Sequence, residues 1–315
     1  MRAGLWVTLC LAIGCGRGAA PRVLPEPPCE AQERSRLRRV AMLGLDRGFA
    51  VATQGLYALR EGRWQRVPLG GLSVVDVTAA RGALWLLARG EGALVGEVVV
   101  LRSTGRSDLS VAGRYAIGRA FEAAALAVER EGSFLLGGAA PALVRTRGAE
   151  FVPMAGPAMP VESLGLMPDE VVVITDRDGS LSTHRWGEYH PSVRGGAVGV
   201  FAGLRTTLTL VTGGAVSRGL PWAPATAADR YGPPSALDAR MGAVNLDGQV
   251  IVLDLEGRGA RLTGRRWEPL EALPSAPARL LGAPETGGPT VVFTRDGAGF
   301  ELQGLRWQPA ISSLP

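Results

Sequence analysis

His184 and His190 are the only two histidines of the chain, close enough in sequence to sit on adjacent strands of one hairpin. Two imidazoles at such a spacing could approach a metal together. Metal centres need three or four ligands held by supporting neighbours, however, and no further His or Cys stands nearby. The pair therefore reads as surface histidines, and no metal is expected. Asp176-Arg177-Asp178-Gly179 opens as a calcium loop does, with alternating carboxylates and a glycine, yet lacks the downstream bidentate Glu. Thr294-Arg295-Asp296-Gly297 repeats the same Asp-Gly step, so both segments are expected to be hairpin turns. Trp85 and Trp186 fall outside the regular phase of the other aromatics and are the candidate exposed binding residues. A Ser-His-Asp triad is recognised by geometry; spacing alone neither supports nor excludes one here, and no catalytic residue is assigned. No glycine-rich loop joins a strand to a helix as a phosphate cradle would, and no cofactor is expected.

The elements that would position such residues are announced by a repeated mark. A Gly is followed within a few residues by an aromatic and then by Pro: Gly62…Trp64…Pro68, Gly148…Phe151…Pro153, Gly187…Tyr189…Pro191, Gly219…Trp222…Pro224, Gly264…Trp267…Pro269 and Gly304…Trp307…Pro309. The aromatics recur about every 40 residues, with one interval of double length, the period of four-stranded propeller blades. Their constant phase makes them packing anchors rather than a sugar-stacking platform.

Each unit repeats one grammar. Phe49–Thr53, Val171–Thr175 and Thr290–Thr294 are β-branched or apolar runs, each followed by a Gly turn, a second strand, another Gly and the aromatic strand. The purely apolar strand is expected to be buried on both faces, between neighbouring blades. Leu72–Arg114 forms the second blade, with strands at Leu84–Leu87 and Val98–Leu101 and a final strand, Asp108–Val111, that lacks the anchor. Ala120–Ala127 has helical propensity, so either tertiary context overrides it or a helix decorates the third blade. The fold expected is all-β, a β-propeller of seven four-stranded blades over residues 37–315; the period also allows six or eight.

Composition narrows the function classes. Of 315 residues, 46% are hydrophobic and 20% charged, which argues against disorder. The net charge is +5, but every basic residue is Arg, and these are scattered among 29 acidic residues. Arg34-Arg36-Arg38-Arg39 is the one local cluster. Phosphate binding wants a basic face, so nucleic acid is not an expected partner.

The blade sequences resemble several propeller repeat families. Asp247–Asp254 is similar to the core of a PQQ-like repeat, as is Gly55–Leu59 before Trp64. Leu136-Gly137-Gly138 and Thr212-Gly213-Gly214 resemble the double glycine of kelch repeats, without the accompanying Tyr. No Trp is followed by Asp, so the WD40 signature is absent. The resemblance to quinoprotein repeats stops short of their calcium site and larger frame.

Arg2 followed by an apolar run from Leu5 to Ile13 has the layout of a secretory signal peptide, too short to span a bilayer. Ala12-Ile13-Gly14-Cys15 then resembles the lipobox of bacterial lipoproteins, with Leu11 one place upstream of the preferred position. That resemblance implies removal of residues 1–14 and lipidation of Cys15. Gly16 in the next position implies the outer membrane in this family. Residues 15–36, rich in Pro, would form the tether. Cleavage after Gly18-Ala19-Ala20 would instead release a soluble secreted or periplasmic protein. Cys29 is left as the odd cysteine, read as an incidental tether residue.

These observations lead to an expected non-catalytic envelope lipoprotein, lipid-anchored in a bacterial outer membrane, whose propeller binds a protein or glycan of the cell envelope. The alternatives are an exported propeller enzyme of glycosidase, lyase or lactonase type, and an outer-membrane assembly factor. Function is expected around Trp85, Trp186 and the insert Ala223–Pro234.

Overall fold

The apolar runs become strands because only a sheet buried on both faces satisfies their backbone while covering every side chain. The computed structural model describes residues 35–315 apart from 105–107, 118–120, 130–132, 140–141, 149, 167–171, 178–179, 186–187, 195–196, 203–206, 212–215, 219–229, 232–236, 245–248 and 282–288. The lipobox, Cys15, Cys29 and the tether up to residue 34 lie outside the described residues, as do Trp186 and Trp222.

Seven four-stranded sheets follow one another, each built from four consecutive strands. The first holds β1–β4 (Leu37–Gly44, Arg47–Ala52, Gly55–Arg60, Arg63–Val67) and the second β5–β8 (Leu72–Ala80, Ala83–Gly90, Glu97–Ser103, Ser110–Ala116). The third holds β9–β12 (Ala123–Val128, Phe134–Gly138, Leu143–Arg147, Glu150–Pro153) and the fourth β13–β16 (Val161–Leu166, Val172–Asp176, Leu181–Arg185, Glu188–Arg194). In the fifth are β17–β20 (Ala197–Ala202, Thr207–Val211, Val216–Arg218, Arg230–Tyr231), and in the sixth β21–β24 (Met241–Val244, Val250–Leu253, Gly259–Thr263, Arg266–Pro269). The last sheet is β25–β28 (Pro277–Leu281, Val291–Thr294, Gly299–Gln303, Arg306–Ile311). The first strand of each sheet touches the first strand of the next, and β25 returns to β1. The result is a closed β-propeller whose first strands line a central channel.

The core lies between blades. One apolar cluster joins Phe49, Val51 and Leu56 of the first blade to Leu84, Leu86 and Val99 of the second. Another joins Leu135 and Leu143 to Val161, Val172 and Ile174. The second strands β6, β10, β22 and β26 accordingly carry almost uninterrupted runs of buried residues. Residues 123–128 form β9 rather than a helix, because each face of this Ala-rich strand is needed against a neighbouring blade, which outweighs a propensity difference of under about 1 kcal/mol per residue.

The Gly–aromatic mark falls at one place. Trp64, Phe151, Tyr189, Trp267 and Trp307 each occupy the second position of a fourth strand, opposite Leu59, Thr146, His184, Leu262 and Leu302 respectively. Gly62 and Gly304 turn the hairpins before Trp64 and Trp307 with φ of 73° and 64°, the left-handed backbone that primed turns require. The second blade departs from the expected pattern. Its final strand runs on to Ala116, and it does carry an aromatic, Tyr115, at the far end of the strand from the usual anchor position. Tyr115 is buried, and its ring lies 5.4 Å from that of Phe151 in the third blade.

The ring closes without exchanging a strand. Leu37 N–H donates to Arg295 O at 2.8 Å and Trp64 Nε1 to Gly297 O at 2.9 Å, tying the first blade to the last. Segment 312–315 clasps both: Ser312 N–H donates to Gly62 O at 2.9 Å and Leu314 N–H to Asp296 O at 2.7 Å. Leu314 packs with Leu37, Trp64, Phe293 and Ile311 in one cluster.

Candidate functional site

The first strands all begin at the same end of the channel, here called its mouth, where the turns between second and third strands also lie. Those turns repeat a device that the sequence reading did not find. Backbone N–H groups of Gly138, Asp176, Asp254 and Thr294 each donate to the carbonyl four residues on. Side chains reinforce three of them: Asp176 Oδ1 accepts from Ser180 N, Asp254 Oδ1 from Arg258 N, and Thr294 Oγ1 donates to Ala298 O. The Asp-Gly step at 296–297 is a hairpin turn as expected, with Asp296 also accepting from Thr294 and Ser313. Asp178 and Gly179 lie outside the described residues.

Close to where they begin, the first strands slip by one residue against their partners: between Leu37 and Arg39, Val74 and Asp76, Val161 and Ser163, and Pro277 and Arg279. A bulge of this kind re-aims side chains and is common beside binding sites. Here the bulged stretches supply Arg39, Asp76, Glu162 and Arg279, four charged residues that face one another at the mouth although they come from four blades. Arg39 spans from the first blade to the fourth, donating from Nη2 to Glu162 O at 3.2 Å with Glu162 Oε1 at 4.0 Å. Its Nε is 3.7 Å from Asp76 Oδ1. Asp76 Oδ2 accepts the Leu126 N–H at 2.8 Å, so this carboxylate also holds the next blade's first strand. Arg279 donates from Nε and Nη2 to the backbone carbonyl of Arg38, at 3.3 and 3.1 Å.

The electrostatics follow from this crowding. Burial raises the Asp76 carboxyl from 3.8 to about 6, only partly countered by Arg39, by the Leu126 and Val77 N–H groups and by Arg279. Burial and the neighbouring Arg39 guanidinium lower Arg279, because a second positive charge is disfavoured there. Beside these groups opens a cavity of about 300 Å³, lined by the first four blades. Arg38, Arg39, Arg89 and Arg177 border it, with Glu122 as the one carboxylate among its lining residues. Arg38, Arg89 and Arg177 are exposed, and their side chains make no ion pair with a described residue.

The residues singled out from sequence sit elsewhere. Trp85 is not an exposed aromatic: it is 7% exposed on β6, with its ring 5.5 Å from Phe134 of the next blade and Arg102 above it at 5.1 Å. Its Nε1 donates to Ala80 O at 3.0 Å. Its phase differs from that of Trp64, Trp267 and Trp307 because it anchors a second strand, not a fourth. His184 and His190 do lie on adjacent strands, but His184 is buried rather than on the surface, since it stands opposite Tyr189 at the position leucine fills in other blades. Of the insert 223–234, only β20 is described. The sequence signal for the mouth was present in two forms: the Arg34–Arg39 cluster, and single charges inside otherwise apolar first strands, as in Val74-Val75-Asp76-Val77.

No protein-family model and no curated protein matches the chain. Among solved structures it is similar to virginiamycin B lyase from Staphylococcus aureus, in a catalytically inactive histidine-to-alanine form with quinupristin: TM-score 0.60, 12% identity, covering 84% of this chain and 94% of that one. It is also similar to YCF48 bound to D1 peptide, with TM-score 0.58 and 16% identity over 88% and 92% of the two chains. The WD40 propeller domain of Doa1 gives TM-score 0.57 at 15% identity, covering 79% and 85%. At these identities the likeness is one of fold, a β-propeller.

Proposed function

We propose that this protein is a non-catalytic propeller that binds a protein partner at the mouth of its channel, exported and held in the bacterial outer membrane by lipid on Cys15. The observation that carries the binding part is the open cavity bordered by Arg38, Arg89 and Arg177, whose charges have no ion-pair partner among the described residues. Guanidiniums converging on one concave site offer forked donors that a ligand carboxylate can take up. A protein partner is favoured over a glycan because Trp85 is buried and offers no stacking face. That a propeller of similar fold, YCF48, is seen bound to a peptide is consistent with this use of the scaffold. The anchor rests on the lipobox-like Ala12–Cys15 alone.

A second reading, an exported enzyme, draws on one observation: a buried carboxyl raised to about 6 beside two guanidiniums. Asp76 has both oxygens committed, one to Leu126 N–H and one towards Arg39, which suits a structural role better. Crosslinking and pull-down from envelope fractions separate the cases. The full chain should capture a protein that the Arg38→Glu, Arg89→Glu double variant loses, while both fold alike. Capture that is unchanged by the double variant would move the site away from the mouth. Cys15→Ser should leave the membrane fraction and lose fatty-acid label; retention of both would end the lipoprotein assignment.

A further inference from the structure

Resting on the protein-binding reading, we infer the chemistry of what is bound: the mouth is a receptor for carboxylates, taking an acidic peptide segment of its partner. Five guanidiniums gather there, those of Arg38, Arg39, Arg89, Arg177 and Arg279, against the carboxyls of Asp76, Glu122 and Glu162. The imbalance is sharper than that count. Asp76 and Glu162 are already shared around Arg39, with ion-pair separations of 3.7 and 4.0 Å, long for charge-assisted bonds. Arg279 is turned to a backbone carbonyl, a neutral acceptor, and carries no hydrogen bond to a carboxylate among the described residues. Three further arginines border the cavity without an ion-pair partner among the described residues.

A guanidinium in a fixed fork binds a carboxylate through two parallel N–H···O bonds, which a single hydroxyl or amide acceptor cannot reproduce. The arginines stand at successive points around the mouth: Arg38 and Arg39 on the first blade, Arg89 on the second, Arg177 after β14 of the fourth. A chain laid across the cavity would therefore meet separated positive charges, so one carboxylate would be held less well than several along an extended segment. The small lining residues Ser73, Ala123, Ala124 and Gly138 leave backbone room for such a chain. The chemistry shared by a side-chain carboxylate and a chain-terminal one is the same, and the experiment distinguishes them.

The test uses the full chain in detergent and fluorescein-labelled peptides of the sequence Gly-Gly-Glu-Asp-Glu-Asp-Gly, with free and with amidated C-terminus, beside a Lys-substituted counterpart. Both acidic peptides should raise fluorescence anisotropy, and the Lys peptide should not. Affinity should fall at least tenfold in Arg38→Glu and in Arg177→Glu. Because both side chains are exposed, melting temperatures should hold, which separates lost binding from lost fold. Loss of binding on amidation alone would shift the site to terminal carboxylates and overturn the side-chain form of the proposal. Equal binding of the Lys peptide, or acidic-peptide binding unmoved by both variants, would overturn it altogether. If the envelope pull-down still depends on the mouth while acidic peptides fail, the protein-binding reading stands and the carboxylate chemistry falls.

Discussion

Burying a carboxyl beside two guanidiniums sets two opposing demands on Asp76. Desolvation favours its neutral form, while Arg39, Arg279 and two N–H groups favour the anion, and burial is the larger influence. The linkage has a definite sign. With the carboxyl at about 6 in the folded chain against 3.8 in the unfolded one, the folded state holds the proton more tightly. Stability from this group is fully present below about pH 4 and is lost as pH rises through about 6, an effect on the order of 2–3 kcal/mol. Asp76→Asn keeps an oxygen for the Leu126 N–H and cannot ionise. The variant will carry a constant penalty for the weakened Arg39 contact, but its melting temperature relative to wild type should climb between pH 4.5 and 7.5. Parallel melting curves across that range would show that Asp76 does not titrate as the packing implies.

At the scale of strands, turn geometry and interface packing can be separated at two glycines. Gly304 has φ of 64° with open space around a would-be Cβ, so Gly304→Ala meets backbone strain alone and should cost about 1 kcal/mol. Gly297 has φ of 82°, and a Cβ there would stand 2.6 Å from Leu314 Cγ, so Gly297→Ala adds a steric clash at the seam where Trp64 also bonds. Urea titrations should place Gly297→Ala at least about 1 kcal/mol below Gly304→Ala, the usual range for overpacking. Equal losses would mean the seam relaxes freely. The strand scale is also where the sequence was most legible. Alternation, Gly turns and the phase of Trp64, Trp267 and Trp307 are local signals, and they mark fourth strands correctly. The mouth was legible only as separate charges, because Arg39, Asp76, Glu162 and Arg279 come from four blades and only ring closure brings them together. Trp85 was misplaced for a related reason: aromatic phase reveals that a residue differs from the anchors, not which way its strand faces. Residues 123–128 show the limit of propensity, since an Ala-rich stretch becomes a strand once both its faces are wanted by neighbouring blades.

For the ring as a whole, the seam between first and last blades is unlike the other interfaces. Elsewhere consecutive blades are joined by the chain itself, so the entropy of bringing them together is limited by a short linker. At the seam the two blades lie at opposite ends of the propeller sequence, and every blade is made of four consecutive strands, so no shared sheet holds them. The clasp of Ser312, Ser313 and Leu314, together with Trp64 across to Gly297, takes on that work. Leu314 is almost fully buried, and Leu314→Ala should cost about 2–4 kcal/mol by loss of apolar contact and the cavity left behind. Deleting 312–315 removes the two backbone bonds as well and should open the seam before the rest. Native-state hydrogen exchange on the deletion should then lose protection in β1, β4, β26 and β28, while β6 and β10 keep theirs. Because the mouth draws Arg39 from the first blade and Arg279 from the last, the same deletion should weaken acidic-peptide binding even at temperatures where the blades remain folded. Uniform loss of protection around the ring would show instead that the blades unfold as one unit and that the clasp has no local role.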